Sequence, residues 1–423
     1  MGIDNSRWKN ISIFDVLDDG KYLWFSAIEY NALFRVDKRN MNVEYVGYFP
    51  DEDFFAYRLY TSINEYNDKL FFTPCSAHEI GVYDMKENRF EKINIGISKE
   101  DNDISDIKYG KKFVSGFIAK GKLILIPCCY DRVVIYDLTT GIVTTRTELV
   151  DYFYTKYKDF TRSPDFQFYL CWFAKKTSEL EIVFELHCNL NIIIFYNLET
   201  GTFTEKRVGD SERSYSLIEC DGKYIFLYDE IVDTIVKYEV PTGICTECNL
   251  ARTLPSFRPC GLEHSFVNMV IFGADLYLIP ANTNAAVKMD ISTGKVSIVS
   301  ALSEECLVQD EKIAYMTLSR IFDDKLYLFG NRSQKIILYE GENELQHIKI
   351  QISSYIDDLM EKNYFLHLLY NHHRFFDETN TSMGAFLKGI IDLKNNISEN
   401  GDEKIRDYGY RIYECINNLG QVE

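Results

Sequence analysis

No apolar run in this 423-residue chain approaches the ~20 residues that a helix needs to cross a bilayer. The opening stretch, MGIDNSRWKN, has no apolar core of the kind that marks a secretory signal. Positive charge is scarce too: 46 Lys and Arg stand against 64 Asp and Glu, for a formal net charge of −18. A field of that sign repels phosphate backbones and anionic headgroups, so neither nucleic acid nor membrane is expected as a partner, and the expected location is cytoplasmic. The eleven cysteines are odd in number and follow no framework spacing, which predicts reduced thiols and no structural disulfide.

Signatures of chemistry are missing as well. There is no phosphate-cradling Gly loop, nucleophile elbow or kinase set, and no cofactor is expected. Cys245 and Cys248 form a lone C-x-x-C; on an extended strand, residues three apart point to opposite faces and cannot chelate together. His367, His372 and His373 lie five and six apart, not the four that stacks two imidazoles on one helix face. The acidic run from Lys99 to Asp106 lacks the central Gly and terminal Glu of a calcium loop. No metal site is expected.

What the chain does have is repetition. A hydrophobic strand opened by a polar residue plus Lys, a short gap and a second strand ending in an acidic residue recur along it, most clearly as DKLFFTPCSAHEIGVYDMKEN from Asp68 and GKLILIPCCYDRVVIYDLTTG from Gly121. Marking each copy by its polar residue after the second strand gives Asp37, Asp84, Asp137, Asn197, Glu239, Asp290 and Glu340. Spacings near 50 residues of all-β pattern indicate propeller blades. The predicted fold is therefore all-β: a seven-bladed β-propeller of four-stranded antiparallel blades over residues 1–350. The blades are placed at 9–49, 54–95, 113–149, 168–208, 213–250, 265–300 and 312–350. Gly141, Gly201, Gly243 and Gly294 follow Thr in the turn before each outer strand, where a tight hairpin requires positive φ. The preceding Asp or Asn is expected to accept backbone N–H bonds in that turn, which makes the repeated residue structural.

The first blade has its own four strands, with Ile11 to Leu17 as the inner one. No terminal strand need be shared, and ring closure is expected to rest on packing between the first and seventh blades. From 351 to 423 the apolar spacing turns to three and four, which predicts an α-helical C-terminal extension.

The phrase V-x-Y-D-x-x-T-G, seen at Val134 to Gly141, resembles the kelch-like and quinoprotein-like seven-bladed propeller repeats. The resemblance covers residues ~10 to 350 at the level of repeat architecture. The chain lacks the Gly-Gly pair of kelch, the GH…WD of WD40 and the blade-closing Trp of quinoprotein repeats, so no family's binding residues carry over.

In such a ring the loops between second and third strands and the connections between blades share one face around the channel mouth, where long insertions concentrate function. Glu29, Asp131 and Asn282 fall in the first loop set; Arg58, Arg162 and Arg258 fall in the insertions, which are rich in aromatics. The candidates for ligand binding are Arg58, Arg162, Arg258, Asn282, Asn331 and Arg332. His78, His187, His264 and Asp131 are the candidates for proton transfer near neutral pH. The expected function is a binding or scaffold module that recognises a protein, a peptide or a small polar or acidic ligand on the loop-rich face. The alternative is a propeller enzyme of lyase, hydrolase or isomerase type, using His and carboxylate groups from several blades on a sugar or modified peptide.

Overall fold

The buried strands are runs of β-branched and aromatic residues, such as Lys122–Pro127 (KLILIP), which pack on both faces between neighbouring sheets. The computed structural model describes residues 11–52, 56–97, 111–160, 169–188, 190–209, 213–258, 265–281, 283–306, 316–330, 335–341 and 345–349. Among them, seven four-stranded antiparallel sheets follow one another in chain order, spanning 17–47, 60–94, 113–146, 174–207, 215–249, 266–298 and 316–349. Within each sheet the strands pair in sequence order from inner to outer. The chain is a seven-bladed β-propeller, and the sheets belong to one compact unit, residues 1–50 and 57–351. The helical expectation for 351–423 lies outside the described residues. Among the described residues no helix is long and apolar enough to cross a membrane.

The core is a series of layers between adjacent blades. Phe71, Ile80 and Val82 of the second blade interleave with Leu123, Leu125 and Val134 of the third, and Val183 and Ile193 of the fourth meet Ile225, Leu227 and Val236 of the fifth. Each such aliphatic side chain contributes about 1.5–3 kcal/mol on burial. The same layering separates the C-x-x-C pair: Cys245 packs with the layer between blades four and five, Cys248 with the layer between five and six.

The repeated acidic residue does what the sequence suggests. Asp137 Oδ1 accepts from Thr139 N and Thr140 N, Asn197 Oδ1 from Glu199 N and Thr200 N, and Asp290 Oδ1 from Thr293 N. Gly141, Gly201, Gly243 and Gly294 follow at φ between 71° and 78°. Hydrogen bonds from Ser292 and Thr293 hold the Asp290 carboxyl down to about 2, and Arg39 does the same for Asp37.

The ring closes without a shared strand. Phe25 of the first blade meets Phe329 of the seventh at 6.3 Å between ring centroids. Lys38 joins Asp18 and Asp323, each at 2.6 Å, and Asp15 receives Arg320 at 2.9 Å. Two local expectations are corrected. The first inner strand is only Leu17–Asp18, with one isolated bridge between Ile13 and Ala27, because Ser12 and Asp15 commit to side-chain bonding with Glu29, Arg320 and the Ile63 N–H. The insertion that carries Arg162, expected as a loop, is preceded by a helix, α1 (Glu148–Tyr157), which buries Leu149, Val150, Phe153 and Tyr157.

Candidate functional site

The mouth of the channel is organised by backbone hydrogen bonds that step from blade to blade. Ile28 N–H donates to Ser12 O (2.9 Å) and Arg58 N–H to Ile28 O (2.7 Å); Lys112 N–H donates to Cys75 O (3.1 Å) and Cys128 N–H to Lys112 O (2.8 Å). Leu170 N–H then donates to Cys128 O (2.7 Å) and His187 N–H to Leu170 O (2.9 Å). These bonds pin the residues that precede the inner strands of blades two to four beside the inter-strand loops of blades one to four. Register shifts at the start of the inner strands, opposite Pro74 in blade two and Pro127 in blade three, mark where the loops leave the sheets.

The side chains brought together are cationic and aromatic. The half-buried Phe14 ring lies 5.9 Å from the Arg58 guanidinium and 5.9 Å from the Lys111 ammonium. Lys111 Nζ is also 5.3 Å from the Trp172 ring and 5.7 Å from Phe173, and donates to Trp172 O at 3.1 Å. Lys112 Nζ donates to Ser76 O at 2.8 Å. Arg58 holds a left-handed backbone, φ +58°, which costs an ordinary side chain about 1–2 kcal/mol. Its carbonyl accepts from both Ser76 N and Ser76 Oγ, which keeps that conformation in place.

Two carboxylates complete the cluster. Glu185 is buried, and its Oε1 accepts from the backbone of Trp172 (2.9 Å) and Phe173 (3.3 Å), so it fixes the aromatic wall. Glu29 accepts from Ser12 N (2.8 Å) and Ser12 Oγ. Burial pushes its carboxyl up, against the opposing pull of Ser12 and of the nearby Arg58 charge. The thiols behind the mouth are poor nucleophiles: burial raises Cys75 to about 11 and Cys129 to about 12, although Lys111 and Lys112 pull both the other way. Two donors are left over. Arg58 Nε and the Trp172 indole Nε1 are enclosed yet have no acceptor among the described residues. A buried donor without a partner costs about 1–3 kcal/mol, and that pattern calls for a reason.

Of the residues singled out from the sequence, Arg58 lies in this cluster. His187 borders it, its ring edge-on to Trp172 at 5.5 Å and Tyr169 at 5.9 Å. His78 is half-buried on the adjoining loop of blade two. Asp131 is exposed and pairs at 2.5 Å with its neighbour Arg132. Arg258 folds back onto the Pro255 and Phe257 carbonyls of its own loop at 2.5 and 2.7 Å. Arg162, His264, Asn282, Asn331 and Arg332 lie outside the described residues. Phe14, Lys111, Lys112, Trp172 and Glu185 were not singled out; the Lys111-Lys112 pair that ends an acidic insertion was the available signal. Among the described residues no group of three or more His, Cys, Asp or Glu is placed to hold a metal ion.

Fold and mouth together define the class: a seven-bladed propeller whose loop-rich rim carries a cationic and aromatic cluster over blades one to four. No protein-family model and no curated protein matches the chain. Solved structures that share the fold include virginiamycin B lyase from Staphylococcus aureus, with a TM-score of 0.52 and 13% identity, covering 79% of this chain and 96% of that one. A catalytically inactive variant of that lyase with quinupristin gives 0.53 and 11%, over 78% and 95% of the two chains. The extracellular domain of a one-component system from B. thetaiotaomicron gives 0.52 and 14%, over 80% of this chain and 39% of that one. At these identities the likeness is one of fold alone.

Proposed function

We propose that this propeller recognises a small polar or acidic molecule at the channel mouth over blades one to four. The observation that carries the reading is the pairing of Arg58 and Lys111 about Phe14, beside two enclosed donors that have no acceptor among the described residues. Cations set among aromatic rings at the ends of loops suit a small ligand that enters between side chains better than a flat protein face. The competing reading is an enzyme. It draws on Glu29, whose raised carboxyl is a form suited to proton transfer, and on the lyases that share the fold.

To test this, the full chain is incubated with the small-molecule fraction of a cell extract, washed and denatured, and the released compounds are identified by mass. The reading expects one compound enriched on the wild type, lost from Lys111→Met and retained by Arg258→Ala. Equal retention by all three proteins would place recognition away from the mouth. Release of a compound altered from the one supplied would favour the enzyme.

A further inference from the structure

We propose that the ligand taken at the mouth is a planar organic anion, an aromatic or conjugated carboxylate with a second acceptor oxygen on its ring. This rests on the reading above that the mouth binds a ligand, and narrows it to a chemical class. Three features of the cluster select that class.

The first is charge. Arg58, Lys111 and Lys112 act together on the Cys75 thiol, so their positive charges converge. Against them stand Glu29, which burial pushes towards its neutral form, and Glu185, which is engaged by two backbone N–H groups. Among the described residues this sets the charges of Arg58 and Lys111 against rings and a carboxyl that burial favours in its neutral form, an arrangement that an anionic ligand matches better than a neutral one.

The second is shape. Phe14, Trp172 and Phe173 surround Lys111 within 5.9 Å of its ammonium. Flat walls of this kind favour a flat ligand.

The third is the pair of open donors. The Nε edge of a guanidinium is the edge that meets a carboxylate in a two-point contact. Arg58 Nε has no acceptor among the described residues, and neither does Trp172 Nε1, whose ring lies 5.3 Å from the Lys111 ammonium. One ligand with a carboxylate at Arg58 and a ring oxygen at Trp172 satisfies both.

The probes are para-hydroxybenzoate, benzoate, para-hydroxybenzamide, cyclohexanecarboxylate and inorganic phosphate, titrated into the full chain by calorimetry. Para-hydroxybenzoate is expected to bind tightest, and its neutral amide about tenfold or more weaker. Arg58→Ala should remove the preference for acid over amide. Trp172→Phe, which keeps the ring and loses the N–H, should remove the preference for the hydroxyl over plain benzoate. Acid and amide binding equally, phosphate binding best, or no planar acid binding at all overturns the proposal. If the amide binds as well as the acid and Trp172→Phe weakens both, the mouth remains a ligand site and only the anionic class falls. If probes bind and none of the mouth variants alters them, the reading of the mouth falls with it.

Discussion

Blades one to four and blades five to seven share one backbone plan, yet their rims handle charge differently. In the later blades the described rim charges are matched by one another. Arg213 meets Asp229 at 3.5 Å and Glu247 at 2.5 Å, so its charge is matched although its Nε lacks an acceptor. Asp233 Oδ1 accepts from Tyr228 at 2.6 Å and Ser265 at 3.3 Å. Asn249 caps the short helix α2 (Leu250–Thr253), and Asn284 clasps Arg258 N and Ser256 O. In the earlier blades the cations meet aromatic rings and carbonyls, and the buried Glu185 gives its Oε1 to backbone N–H groups. Similar residue types thus build a rim of ion-paired and capped groups on one side and, on the other, a mouth whose cations meet rings and carbonyls. Charge left unmatched by its own fold is the better marker of a site than the mere presence of Arg or His.

The largest test of this contrast is Glu185→Ala. It leaves the Trp172 and Phe173 N–H groups without their acceptor in a buried wall, and the expected loss of unfolding free energy is about 2–4 kcal/mol by denaturant titration. Glu247→Ala, the partly exposed counterpart in blade five, is expected to cost below about 1 kcal/mol. Equal costs would erase the distinction between a built wall and a solvated rim.

Arg58→Gly comes next and separates function from stability. Glycine accepts φ +58° freely, so relief of the left-handed backbone offsets the lost side-chain packing, and stability should stay within about 1 kcal/mol of wild type. Affinity for the ligand or its planar-acid surrogate should nevertheless fall about tenfold or more, while Arg258→Ala leaves it unchanged. A marked destabilisation by Arg58→Gly would show that the residue serves the fold.

The seam between the two regions is a subtler target. Asp15 takes Arg320 from the seventh blade and the Ile63 N–H (3.0 Å) from the second, so Asp15→Ala should cost about 1–3 kcal/mol. Lys38→Met should cost less across the seam, because its seventh-blade partner Asp323 is largely exposed and water replaces that contact, while its other partner, Asp18, belongs to the first blade itself. If Lys38→Met proves the costlier, the channel contact is not what joins the ends of the ring.

Much of the fold could be read from the residues because its signals are local. Asp137 and Gly141 occupy fixed places in a turn, and hydrophobic runs such as Leu123 to Ile126 identify a strand buried on both faces. The departures arose where long-range bonds override local pattern. Ile11 to Leu17 reads as a strand, but Ser12 and Asp15 are held by groups that the chain brings from other strands and blades. Helix α1 had its signal in the spacing of Leu149, Val150, Phe153 and Tyr157, inside a stretch too rich in Tyr and Lys to stand out. The mouth was least legible. Arg58, Lys112 and Leu170 end insertions of different length, so no constant offset from the repeat locates them, and only the blade-to-blade hydrogen bonds align them.

The smallest expected effect concerns Glu29 and how acid distinguishes the mouth from the turns. Burial raises the Glu29 carboxyl in the folded state, so folding favours its protonated form. Its contribution is full below the unfolded glutamate value and is lost as pH rises through the folded one. The turn residues Asp37 and Asp290, held down to about 2, act in the opposite sense: their stabilisation is present above the unfolded aspartate value and disappears as pH falls through the folded one. Glu29→Gln removes only the first contribution, since the turn residues are common to both proteins and cancel in the comparison. The unfolding free energy of the variant relative to wild type should therefore climb with pH from the ordinary glutamate range upward and then level off, with an amplitude below that of the other substitutions. Urea titrations at a series of pH values read this directly. A difference that falls with pH, or stays flat, would mean that Arg58 and Ser12 outweigh burial at Glu29 and that the mouth keeps a full negative charge beside its cations.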